Sequence, residues 1–242
     1  MALGDYVNSR GAADMGVLPE YLPGYAQASD AHERERWGKV WGAPLPAKPG
    51  LNVRQMLEAA GGPLKALYVM GANPAKTFAA KKLSQLDFLV VQDLFLTETA
   101  QQAHVVLPAA SAYEKEGTVT NTAGQIQKLH RAGERMGPRT DFDLLRFVSH
   151  KLAAAGLGKA FHLRTPADAF EEIRRNVRGY DVPLTSLLTG GAEMTAAMLP
   201  ANGHKPYDVP ADLIFSSRDT LFSSGTLGRY CSMVASVPEA EK

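Results

Sequence analysis

The chain has 242 residues, 45% hydrophobic and 21% charged. This is an ordinary globular composition, with length enough for one large core or two modest ones. A formal net charge of +1 gives no global electrostatic case for nucleic acid or an anionic membrane, and no run approaches the roughly 18 apolar residues of a membrane span. The opening "MALGDYVNSRGAADMG" lacks a basic start followed by an apolar stretch, so no signal peptide is expected and the expected compartment is the cytoplasm.

Residues 1–50 read as an irregular lead-in, because glycine and proline recur through "MGVLPEYLPGY" and "WGAPLPAKPG". A short charged helix, "SDAHERERWGKVW", is expected between them with Ser29 or Asp30 as its cap. Trp37 and Trp41 fall four residues apart on one face of it, a packing pair. From Asn52 the pattern becomes regular. "NVRQMLEAAGG" predicts a helix capped by Asn52 and stopped by Gly61 and Gly62. "KALYVMG" predicts a strand whose continuous apolar character implies burial on both faces. "AKTFAAKKLSQL" predicts a helix, "DFLVVQD" a second buried strand, "TETAQQAH" a short helix capped by Thr97, and "VVLPA" a third strand. That alternation predicts an α/β fold built on right-handed βαβ units and a parallel, Rossmann-like sheet.

After Pro108 the segment "ASAYEKEGTVTNTAGQIQKLHRAGERMG" is polar and predicts an extended loop with at most short strands. "DFDLLRFVSHKLAAAG" predicts an amphipathic helix with an apolar stripe of Leu144, Leu145, Val148 and Leu152. "TPADAFEEIRRNVRG" predicts another, with Thr165 as cap and Pro166 at the first helical position. "DLIFSSRDTLFSSGTLGRY" reads as a strand running into a turn. The organisation predicted is a lead-in over 1–50, an α/β dinucleotide-binding-like core over 51–135, and a helical extension with a terminal strand and turn over 136–242.

Chemistry is sparse. The single cysteine, Cys231, allows no intrachain disulfide, and no Cys/His cluster is present for zinc or an iron–sulfur centre. Only Arg229 lies near it in sequence, so Cys231 reads as a packing residue rather than a catalytic thiolate. The six histidines have no metal-like spacing, and Glu114 and Glu116 in "YEKEG" read as a solvated pair. No catalytic residue and no metal ligand is assigned.

Ligands of open parallel sheets sit beyond the carboxyl ends of the strands, which singles out "GANP" and "QDLFLTET". Gly71 would admit a phosphate or sugar close to the backbone. Asn73 offers a donor and an acceptor, and Asp93, about twenty residues on, could accept from a ribose hydroxyl. Thr97 and Thr99 open a helix whose free N–H groups favour an anion. The alternative is that Gly71, Asn73 and Pro74 turn the chain and Asp93 caps a helix. No GxGxxG or GxxxxGK[ST] decides between them.

The stretches "NSRGAADMGVLPEYLPGY", "LYVMGANPA" and "LDFLVVQDLFLTETAQQAHVVLPAASAYEKEGTVTNTAGQIQ" together resemble the molybdopterin oxidoreductase family, from about Asn8 to His150. Within it they are similar to the large iron–sulfur subunit of bacterial NADH–quinone oxidoreductases (complex I), and formate dehydrogenase α subunits share most of the same words. The family implies cysteine-rich domains that carry iron–sulfur clusters, and molybdopterin guanine dinucleotide whose metal takes a cysteine, selenocysteine or serine; none of that cysteine framework is present in this sequence. The resemblance implies a piece of a longer protein, whether split gene product or truncated frame.

It also implies that Gly71-Ala72-Asn73-Pro74 and Gln92-Asp93 match segments along a guanine dinucleotide, beside which Thr97 and Thr99 complete the candidate site. Ala123 and Gln125 stand where the family has glutamate and arginine, and His104 where it has aspartate, so the site is expected to be vestigial and to hold no cofactor. The implied partners are other subunits of the peripheral arm, with neither nucleic acid nor direct membrane insertion. The implied location is the inner face of the plasma membrane, through the complex. The readings left open are a fragment of a molybdenum-dependent formate dehydrogenase that still binds the dinucleotide, and a stand-alone nucleotide module.

Overall fold

A computed structural model describes residues 7–195 of the chain, except 79 and 138. The strand expected over 212–230 and Cys231 lie outside the described residues. Three helices start at sequence-legible caps. The Asp30 side chain accepts the His32 N–H at 2.8 Å and starts α2 (Ala31–Trp41), while Asn52 and Gln55 form a capping box at α3 (Val53–Ala59). Thr165 and Asp168 do the same for α6 (Pro166–Asn176), with Pro166 in its first turn. A third box, Thr140 with Asp143, opens α5 (Asp141–Ala154). Each such cap satisfies N–H groups that the helix leaves unpaired, worth about 1 kcal/mol.

The lead-in is more ordered than its glycines and prolines suggest. It carries α1 (Ser9–Asp14) and an antiparallel pair, β1 (Tyr21–Leu22) with β2 (Ala26–Gln27), before α2. The Arg10 guanidinium grips the fully buried Asp14 carboxylate at 2.9 Å, and the Tyr180 hydroxyl donates to the same carboxylate at 2.9 Å. Those bonds tie the start of the chain to residues far along it.

Three parallel strands, β3 (Ala66–Met70), β4 (Phe88–Asp93) and β5 (Val105–Pro108), pair in sequence order with β4 in the centre. The fold is therefore α/β with a parallel sheet, as the alternating pattern predicts. Burial differs from the expectation. One face is closed by Val69, Leu89 and Val91 packing with Ala60, Leu83, Leu86 and Ala100. On the other, Met70 and Phe88 are 49% and 47% exposed, and Tyr68 and Val105 are also exposed. An unbroken apolar run marks a strand with apolar side chains on both faces; it does not show that the chain itself covers both.

The connections are shorter than the expected helices. Residues 75–86 do not form one helix. α4 (Pro74–Thr77) ends at Phe78, and a 3-10 helix over Lys81–Gln85 follows. Leu83 and Leu86, three apart, both bury in the sheet's core, a spacing that matches the threefold period of a 3-10 turn. Between β4 and β5 only a 3-10 turn, Ala100–Gln102, forms, because the His104 N–H already joins the ladder at Leu89 O.

The remaining strands, β6 (Gly117–Thr120), β7 (Gln125–Leu129) and β8 (Ala192–Glu193), make an antiparallel sheet. Its core joins Trp37, Ile126, Phe170, Val177, Tyr180, Val182 and Leu187. On α5, Leu144 is buried and Leu145 and Val148 are half-buried, but Leu152 is 45% exposed, so the apolar stripe closes only over the first turns. Among the described residues no helix is long and apolar enough to cross a membrane.

Candidate functional site

Gly71 follows the last residue of β3 with a φ of 60°, a left-handed conformation that glycine takes without strain. Its N–H continues the ladder to Gln92 O, and a side chain built there would meet nothing within 4 Å. The position is open, and glycine is required by the backbone rather than by packing.

Asn73 turns inward. Its Nδ2 donates to Glu98 Oε2 at 2.6 Å, and its Oδ1 accepts from the Thr99 N–H at 3.2 Å and the Thr99 hydroxyl at 2.8 Å. Thr99 Oγ1 in turn accepts the Ala75 N–H at 3.0 Å. Thr97 Oγ1 accepts the Ala100 N–H at 3.2 Å, and the Gln101 and Gln102 N–H groups go to the carbonyls of Thr97 and Thr99. Thr97 and Thr99 are both fully buried. The N–H groups of Thr99, Ala100, Gln101 and Gln102 are therefore already bonded, Thr97 closes its own turn, and the polar atoms of Asn73 and Thr99 staple the loop after β3 to the loop after β4.

Asp93 ends β4, 5% exposed. Its Oδ1 accepts the Leu94 N–H at 2.7 Å and the Phe95 N–H at 3.5 Å, shaping the turn out of the strand rather than capping a helix. Among the described residues its second oxygen has no hydrogen-bond partner. Burial pushes its carboxyl above the usual range, against the pull of those two N–H groups, and the Asp141 charge adds to the rise.

Beside it runs a chain that sequence reasoning missed. The Tyr68 hydroxyl donates to the Gln92 amide oxygen, Gln92 Nε2 donates to Asp141 Oδ1 at 2.6 Å, and Lys115 pairs with Asp141. The Tyr68 phenol is pushed up, first by burial and then by Asp141. Gln92 is fully buried although it lies on the open face of the sheet, because the start of α5 covers it there. The available signal was Asp141 directly after its cap Thr140, at a helix start that favours an acid.

Glu114, expected as half of a solvated pair, is instead a loop clamp, accepting the Ser111 N–H at 2.7 Å and the Met136 N–H at 2.6 Å. Among the described residues no group of three or more His, Cys, Asp or Glu side chains is placed to hold a metal ion.

An open parallel sheet whose strands are joined by short helical connections defines an α/β protein. The family can be stated more narrowly. The chain belongs to the molybdopterin oxidoreductase family, whose model matches residues 5–151. It is 42% identical to Probable oxidoreductase YjgC of Bacillus subtilis, over 68% of this chain and 17% of the relative. It is 39% identical to the F420-dependent formate dehydrogenase 1 subunit alpha of Methanococcus maripaludis, over 69% of this chain and 25% of the relative. With the second G-type NADH-quinone oxidoreductase subunit of Rhizobium meliloti it shares 34% identity over 97% of this chain and 28% of that protein. The chain thus spans between 17% and 28% of the length of these curated relatives.

Set against the dinucleotide arm that the family implies, the residues present do not fit. Asn73, Thr97 and Thr99 would have to give up internal hydrogen bonds, each worth about 1 kcal/mol net and more if a buried partner is left unpaired. Within the candidate site, one oxygen of Asp93 and the Thr97 hydroxyl proton have no hydrogen-bond partner among the described residues, and the space above Gly71 is open.

Proposed function

We propose that this chain is a non-catalytic part of the peripheral arm of a respiratory NADH–quinone oxidoreductase, within its large iron–sulfur subunit, and that it holds no molybdopterin guanine dinucleotide. It packs beside subunits that carry the NADH, flavin and iron–sulfur chemistry, on the cytoplasmic side of the membrane. The observation that carries this reading is the Asn73–Thr99–Glu98 staple, which spends on loop packing the groups a dinucleotide would need. The match to the Rhizobium meliloti protein supports it, reaching 97% of the chain where the formate dehydrogenase relative reaches 69%. The open apolar face of the parallel sheet suits a protein that works inside an assembly.

A second reading, a formate dehydrogenase α-subunit portion that binds the dinucleotide through Asp93, is favoured by the higher identity of that relative. Purification of a tagged chain from its own organism in mild detergent, with mass spectrometry of its companions, separates the two. Recovery with NADH-binding and quinone-module subunits supports the first reading. Recovery with formate dehydrogenase subunits refutes it.

A further inference from the structure

Away from the strand ends, a cavity of about 430 Å³ opens where the flanks of the β6–β7 hairpin meet the starts of α5 and α6. Lys115, Arg131, Arg135 and Arg164 line it, facing Glu114, Glu116 and Asp143. These opposite charges do not simply cancel once their bonds are assigned. Glu114 is spent on two backbone N–H groups, and these, Met136 first, hold its carboxyl below the usual range. Asp143 closes the capping box of α5 and pairs with Arg135 at 3.4 Å. Lys115 is paired with Asp141. Among the described residues the guanidinium groups of Arg131 and Arg164 make no hydrogen bond and no ion pair within 4 Å, although the Arg164 charge acts on the nearby Asp168 carboxylate, and Glu116 is the one carboxylate of the cavity without such a partner.

We propose that this cavity binds a phosphate-bearing small anion, gripped by Arg131 and Arg164. A guanidinium presents a planar fork of N–H donors that matches two oxygens of a phosphate. Two such forks on one cavity can share a tetrahedral dianion, which offers more charge and more acceptor oxygens than a carboxylate. The volume lies in the range of small-molecule sites, about 300–1,000 Å³. Glu116 opposes the anion, so its neutralisation should tighten binding. The site shares none of Gly71, Asn73, Asp93, Thr97 and Thr99, and it stands or falls independently of the assembly reading.

Isothermal titration of the full chain at low ionic strength with inorganic phosphate and with pyrophosphate, against chloride at matched ionic strength, tests it. Saturable binding is expected for at least one of the two, and whichever binds more tightly separates a monophosphate from a diphosphate ligand. Arg131→Gln with Arg164→Gln should weaken it by about tenfold or more, with the thermal transition unchanged because both side chains are exposed. Glu116→Gln should strengthen it. Heat no larger than with chloride, or equal affinity in the double variant, would overturn the proposal.

Discussion

Ile126 on β7 and Leu89 on β4 are both fully buried, yet their cores are assembled differently. The core around Ile126 draws Trp37 from α2, Phe170 from α6, and Val177, Tyr180, Val182 and Leu187 from the chain beyond α6. Residues 37 to 187 therefore have to come together to build it. The core around Leu89 is local, drawn from Ala60 to Ala100, and fills one face of the parallel sheet. Among the described residues its other face shows Tyr68, Met70, Phe88 and Val105 to solvent, and β3 and β5 are both edge strands. Long-range packing has closed one half of the molecule. The other half is a set of βα units with one side still open, the kind of surface that associates.

Substitutions of the same type of residue should separate the two halves. Phe170→Ala, in the closed core, is expected to cost about 3–5 kcal/mol, read by chemical denaturation. Phe88→Ser, on the open face, is expected to cost under about 0.5 kcal/mol, as surface changes usually do. Equal losses would show that the open face is covered within the chain itself. Asn73→Ala should fall between them, at about 1–3 kcal/mol, because it strands the buried Thr99 N–H and hydroxyl. A negligible loss there would mean that the staple between the strand-end loops does not hold them.

The open face should also govern association. Met70→Ser combined with Phe88→Ser is expected to shift the isolated chain from self-associated towards monomeric in sedimentation velocity. An unchanged profile would locate the sticky surface elsewhere.

The smallest effect concerns pH. Burial raises the Asp93 carboxyl, so the folded state holds its proton more readily than the unfolded state. Its contribution to stability is then fully present below the unfolded value, about 3.9, and is lost as pH rises through the higher folded value. Asp93→Asn keeps an oxygen for the Leu94 N–H and removes the buried charge. It should raise the melting temperature at neutral pH by a few degrees at most, with the gain vanishing in acid. A gain that persists unchanged in acid would contradict this assignment.

Much of this architecture is legible in the sequence because it rests on local signals. The caps at Asp30, Asn52 and Thr165 follow from side-chain chemistry at single positions, and the three parallel strands follow from apolar runs spaced by short connections. One-sided burial is not legible, since Phe88 and Leu89 are both strongly apolar in a hydropathy reading and only the position of Leu83 and Leu86 makes them different. The fate of the strand-end residues is hidden for a related reason. Asn73 and Thr99 have the composition of a ligand site, and the 26-residue separation of their hydrogen bond is set by the sheet rather than by any nearby motif. Family resemblance pointed correctly to the fold, while the bonding of those side chains had to be read from the structure.

Guanine nucleotide content of the chain, isolated with its natural companions, tests the structural role most directly. Acid hydrolysis followed by chromatography would release GMP from any molybdopterin guanine dinucleotide it holds, with molybdenum measured on the same sample. With Asn73, Thr97 and Thr99 spent on internal bonds, neither GMP nor molybdenum should be found in stoichiometric amount. One GMP and a matching molybdenum content per chain, both lost in an Asp93→Ala variant, would contradict that role and make this a working cofactor domain.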